Sequence, residues 1–219
     1  MSDRQPSPER LARRRARRDA LHRLADAVRE LIDATVSSDV EPAEVDAVRN
    51  DVLALTRRLN VKRHPGIYSG LLGREPIDHT RPRRSVPLSP WMGPFNPLAP
   101  PIEIEFRDGG VFGSTNLGKA YIGPPNAAHG GVVAGILDQL LASAGQSAGV
   151  AGVTANMSVR FRKPTPLYAK LTLRAWADPR DEGSRKRTVH AEIRHGNVVT
   201  AEGRALVIRP AALTRPDES

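Results

Sequence analysis

The chain has no cysteine. That excludes disulfides, thiolate nucleophiles and thiolate metal sites. Aromatic residues make up only 4% of the 219 residues, so a core must be built mainly from aliphatic side chains. No apolar run approaches the roughly 18 residues of a membrane span. The N-terminus is arginine-rich, but no apolar stretch follows it, which argues against a secretory signal. The lack of cysteine is neutral about compartment; with no span or signal to read, a cytoplasmic protein without membrane association is the default expectation. Acidic residues are in deficit as well. The 33 Lys and Arg outweigh 24 Asp and Glu, and a net charge of +9 invites an anionic partner.

What is present falls into zones. Residues 1–60 form a basic arm. Leu21, Leu24, Val28, Leu31 and Thr35 recur at three–four spacing, as do Val45, Val48, Val52, Leu55 and Leu59. That period predicts two amphipathic helices, best paired as a helical hairpin. Pro42 suits the first turn of the second helix. Residues 61–101 hold nine prolines, which no helix survives. Yet Ile67, Tyr68, Leu71, Leu72, Trp91, Met92 and Phe95 are interspersed there. A free linker would be more polar, so we expect an extended strap lying on the main domain. That domain spans 102–210, and 211–219 is a tail. It reads as strands near 102–107 and 111–122, an apolar helix over 130–147, and a four-strand meander near 152–163, 168–178, 186–195 and 198–208. Asp178 to Ser184 and His195-Gly196-Asn197 are its hairpin turns. The expected fold class is α+β: an antiparallel sheet wrapped around one long central helix, with an N-terminal helical extension.

The central helix carries the chemistry. Asp138 lies among Val132, Val133, Ile136, Leu137, Leu140 and Leu141. An unpaired carboxylate buried there costs several kcal/mol, on the order of the burial penalty of an ion. Desolvation raises a carboxyl group toward the range of a general base. His129-Gly130-Gly131 stands at the helix start, where free backbone N–H groups point outward and glycine lets a ligand approach. This is an oxyanion-hole arrangement. Donors for a carbonyl oxygen and a base for a nucleophile together suit acyl transfer to water. The nine residues from His129 to Asp138 span about 13 Å of helix and end half a turn out of phase. One chain cannot readily aim both at one carbonyl. Two chains about a two-fold axis can.

Residues 101–209 resemble a hotdog-fold acyl-CoA thioesterase of the phenylacetate-pathway (PaaI-type) group. The likeness rests on His129-Gly130-Gly131, on Asp138 nine residues later, and on VTANMSVRFRKPTPL over 153–167. The resemblance implies hydrolysis of an acyl-CoA thioester by a homodimer or dimer of dimers. Asp138 would activate water or attack the carbonyl. Gly130, beside His129, would hold the thioester oxygen, with Gly131 and Asn126 near the substrate. Thr154 would position the water. No metal or other cofactor is implied, and coenzyme A leaves as part of the substrate. Where many relatives carry an Asn six residues before the histidine, this chain has Gly123. Strict alternation also groups Thr154 with Asn156, Ser158 and Arg160, off the apolar face.

Phosphates of coenzyme A require cations, and Arg160 and Arg185 occupy positions that contact ligand in the resembling family. A second class of function uses the same fold: a non-catalytic acyl-CoA sensor whose basic helices bind nucleic acid. The Arg10–Arg18 cluster suits it. Asp138 favours the enzyme, because a sensor has no need of a buried base, and the arm carries no helix-turn-helix signature.

Overall fold

The computed structural model describes residues 7–63, 83, 86–150 and 152–209. The chain divides into two units, Met1–Glu75 and Pro76–Ser219. In the first unit, α1 runs Pro8–Ser37 and α2 runs Pro42–Asn60. Each opens on a proline, whose missing N–H costs nothing in a first turn. The Ser7 hydroxyl caps α1 by accepting from the Arg10 amide at 3.3 Å. The α2 stripe is open and the α1 stripe is partly so, with Leu21 and Val28 half-buried. Leu24 and Leu31 on α1 are exposed, as are Val45, Val48, Leu55 and Leu59 on α2, and α2 buries none of its residues.

In the second unit, β1 (Glu103–Arg107) and β2 (Gly110–Asn116) precede α3 (Gly130–Ser147). β3 (Val153–Phe161), β4 (Lys170–Ala177), β5 (Lys186–His195) and β6 (Val198–Ile208) follow. The second strand is shorter than the sequence suggests and ends before a 3₁₀ turn at Lys119–Tyr121. One sheet holds all six strands in the order β1-β2-β4-β5-β6-β3, antiparallel throughout. The expected four-strand meander is therefore a three-strand one. β3 pairs with β6, not with its chain neighbour β4, and forms an edge.

α3 is apolar because it is covered on both sides. Leu137 and Leu141 lie against Gly203 of β6, and Val207 lies against Gly145. Ile136, Leu137, Leu140 and Leu141 join Val111, Leu171, Leu173, Val189, Ile193 and Val207 in one buried core. Each such side chain contributes about 1.5–3 kcal/mol on burial. The Pro-rich stretch lies on the helix too. Trp91 packs on Gly135, the Ser89 hydroxyl donates to Gln139 Oε1 at 3.0 Å, and Met92 Sδ sits 3.9 Å from Ser143 Oγ. Residues 86–101 are not extended, however. They coil through successive tight turns, closed by bonds such as Ser89 N–H to Val86 O and Asn96 N–H to Gly93 O. Ile67, Tyr68, Leu71, Leu72 and the tail 211–219 lie outside the described residues.

Candidate active site

The start of α3 is held from three directions. The His129 amide donates to Tyr121 O at 2.8 Å, Ala128 N–H donates to Thr165 O at 2.8 Å, and Leu167 N–H donates to Asn126 O at 3.2 Å. Gly123 is required for this turn: a side chain there would place its Cβ 2.5 Å from His129 Cα. An asparagine at position 123 does not fit this backbone. Asn126 adopts φ 61° and is exposed at the turn's tip.

Four N–H groups at a helix start lack intrahelical partners. Here most of them are used. His129 is the N-cap, and its Nδ1 accepts from the Gly131 amide at 2.9 Å. An accepting Nδ1 leaves the ring proton on Nε2. Val132 and Val133 donate to the His129 carbonyl at 2.9 and 3.1 Å. Among the described residues no hydrogen bond engages the Gly130 amide. It is the one free donor of the turn. Phe161, at the end of β3, stands beside it: a Cβ on Gly130 would lie 3.5 Å from the ring. Sequence reading missed Phe161, because nothing in its spacing marks it as a wall of the site.

Asp138 is half-buried rather than enclosed, because it faces the open edge formed by β3. The Thr154 hydroxyl donates to its Oδ1 at 3.2 Å. A β-bulge makes this contact possible. Thr154 pairs with Val207, but Asn156 pairs with Leu206, so Ala155 is an extra residue in β3. One inserted residue flips the phase of a strand. Thr154 thus shares the helix-facing side with Met157, Val159 and Phe161, while Asn156, Ser158 and Arg160 face away. Strict alternation, which put Thr154 with the polar set, fails here for that reason.

The remaining candidates lie elsewhere. Arg160 is exposed on the far face of the sheet, opposite Glu202, in a groove of about 500 Å³ that Trp176, His190 and Arg204 also line. Arg185 is exposed just ahead of β5, its carbonyl accepting from the Arg209 amide at 2.9 Å. Among the described residues no hydrogen bond or ion pair joins either to Asp138. The structure brings together Asp138 with Thr154, and His129, Gly130 and Gly131 with Phe161. The two groups stand at different heights along α3. No cluster of three or more His, Asp or Glu placed to hold a metal occurs among the described residues. No described helix is long and apolar enough to cross a membrane.

Residues 126–200 match the family model described as the thioesterase superfamily. The fold is similar to the crystal structure of protein RHA08564, a thioesterase superfamily protein, with 31% identity and a TM-score of 0.73. That match covers 86% of this chain and 90% of the other, so it extends beyond the residues of the family model. Smaller likenesses include a hypothetical thioesterase protein with coenzyme A from Streptococcus pneumoniae TIGR4 (23% identity, 49% of this chain, 86% of that one, TM-score 0.45). Another is the E. coli PaaI protein from the phenylacetic acid degradation operon (22% identity, 51% and 80% coverage, TM-score 0.46). No curated protein sequence matches the chain.

Proposed function

The chain belongs to the thioesterase superfamily, with its hotdog fold, and we propose that it hydrolyses an acyl-CoA thioester at a site built by two subunits. One observation carries the reading: the Thr154 hydroxyl is bonded to Asp138, a carboxylate on the central helix that is otherwise lined by core residues.

The edge strand supplies the geometry. β3 has one unpaired side and shows Val153, Met157 and Phe161 to solvent. Such an edge is a template for pairing. Antiparallel pairing of two β3 strands about their middle sets Thr154 of one chain opposite the Phe161 end of the other. Asp138 then faces Gly130 of the partner subunit. The half-turn mismatch inside one chain becomes a match between two.

The chemistry follows from the donors. The free Gly130 amide holds the thioester oxygen, in a place where charge develops as the carbonyl becomes tetrahedral. The Thr154 hydroxyl donates its hydrogen bond to Asp138, so its oxygen can accept one from a water. That water transfers one proton to Asp138 as its oxygen bonds to the acyl carbon. The C–S bond then breaks, and the proton on Asp138 passes to the departing sulfur. Products are the free acid and coenzyme A. The steps ask for no metal. Arg160 and Arg185, both exposed, would supply the cations for the coenzyme A phosphates.

The test is hydrolysis of short, aromatic and long acyl-CoAs, followed as released thiol, by the native chain and by Asp138→Asn. Loss of a positioned base lowers turnover by on the order of 10²-fold or more. Native-like turnover by the variant would leave Asp138 a structural residue.

A further inference from the structure

We propose that α2 is a docking helix whose partner is α2 of a second copy of this chain, packed antiparallel. This goes beyond the proposed hydrolysis, whose residues Asp138, Thr154 and Gly130 all lie in the second unit.

The stripe on α2 has the spacing of a two-helix seam. Val45, Val48, Val52, Leu55 and Leu59 alternate steps of three and four, which are the a and d positions of successive heptads. Val45, Val48, Leu55 and Leu59 are 51%, 41%, 50% and 60% exposed, and α2 buries no residue. The helix is well formed, but among the described residues no element packs on its seam. A narrow a/d stripe is the signature of a coiled-coil contact, since a helix docked on a globular core buries a wider face.

Charge identifies the occupant and its direction. Residues 41–51 hold Glu41, Glu44, Asp46 and Asp51 against Arg49 alone. Residues 52–63 hold Arg57, Arg58, Lys62 and Arg63 and no carboxylate. The helix is therefore an acidic half joined to a basic half. A parallel copy stacks the acidic halves together and the basic halves together; it gains Glu44 against the partner's Arg49 but opposes Arg58 to Arg63 of the partner subunit. An antiparallel copy lays acid on base along the whole length. In the antiparallel stagger that joins Val52 to Leu55 of the partner subunit, Val48 meets the partner's Leu59. Asp51 then faces the partner's Arg58, twice about the axis. Such flanking pairs set orientation in helix pairs.

A chain without cysteine gives a clean test. Two single-cysteine variants, Val48→Cys and Leu59→Cys, carry different tags, are co-expressed at full length, and are oxidised mildly. A disulfide needs Cα atoms about 4.4–6.8 Å apart. The antiparallel pair brings residue 48 to residue 59 of the partner, so a mixed-tag disulfide dimer should form. In that pair two copies of residue 48 are about 16 Å apart along the axis, so neither variant should cross-link to itself. Same-tag dimers from each variant alone would overturn the antiparallel orientation. Absence of any cross-link, with both variants folded by circular dichroism, would overturn the pairing itself. Hydrolysis should be native-like in both variants under reducing conditions. That separates this result from any failure of the proposed chemistry.

Discussion

Thr154 reaches Asp138 because Ala155 is one residue too many. The bulge rotates Thr154 onto the helix side of β3, where its hydroxyl donates to the Asp138 carboxylate at 3.2 Å. An edge strand can hold a bulge without breaking a ladder on both sides, and bulges gather beside functional sites for this reason.

The contact makes Thr154 a sensitive position. Thr154→Val keeps the shape and removes the hydroxyl. A lost hydrogen bond to a charged group is worth about 1.5–3 kcal/mol, so acyl-CoA turnover should fall by roughly tenfold to a hundredfold. Thr154→Ser should retain most of it. Released thiol over a substrate series reads both, and equal rates in all three proteins would leave Thr154 without a part in the chemistry.

Labelled water distinguishes the roles open to Asp138. With Asp138 as a base, the oxygen added to the acid comes from solvent in the very first turnover. A single-turnover reaction in H₂¹⁸O with enzyme in excess should yield labelled acid. Unlabelled acid from that first turnover would mean that Asp138 attacks the carbonyl directly.

The contact between the Pro-rich stretch and α3 depends on a missing side chain. A Cβ on Gly135 would stand 2.4 Å from the Trp91 ring. Gly135→Val must displace the indole, and overpacking of this kind costs about 1–3 kcal/mol. Thermal unfolding should show a lowered midpoint and tryptophan fluorescence a shifted maximum. An unchanged melt would mean that Trp91 adds nothing to the stability of the helix.

The turn from 178 to 184 carries an acid-sensitive ion pair. Arg180 Nη2 lies 2.6 Å from Asp178 Oδ2, and the Arg180 amide donates to Oδ1 at 3.0 Å. The side-chain bonds, with the backbone one behind them, hold the Asp178 carboxyl well below the usual range. A lowered folded value means the carboxylate stabilises the fold above the ordinary value of about 3.9. That contribution drains away as pH falls through the folded value. Arg180→Ala should therefore lower stability at neutral pH, by a margin that solvent around the exposed guanidinium keeps small, and the gap to the native protein should close as pH falls below about 4. Equal chemical-denaturation stability of the two proteins at neutral pH would show that the pair contributes nothing.

What the sequence made legible follows from period and punctuation. Gly130–Ser147 is the helix that its apolar run predicts, and α1 and α2 break at the expected turn before Pro42. Asp138 and the His129-Gly130-Gly131 start could be singled out because polarity and glycine are conspicuous inside an apolar run. Pairing was not legible. β3 leaves β4, its neighbour in the chain, and joins β6, and no local pattern encodes which strand lies beside which. The bulge at Ala155 was equally hidden: one inserted residue leaves no mark in composition, yet it reverses the face on which Thr154 stands. The depth of Asp138 was overread for a related reason. Its neighbours in sequence are core residues, but its own side faces an edge that a single chain leaves open.

The central claim, a site assembled from two chains, is tested most directly by complementing two inactive variants. Asp138→Asn removes the base. Gly130→Pro removes the free amide. A Cβ on Gly130 meets only ordinary contacts, and His129 already has the extended ψ of 135° that a following proline requires. A dimer of one variant with the other has one site carrying both lesions and one carrying neither. Random mixing makes half the dimers mixed, so about a quarter of native activity should return. Continued inactivity in dimers shown by mass to contain both chains would contradict the shared site.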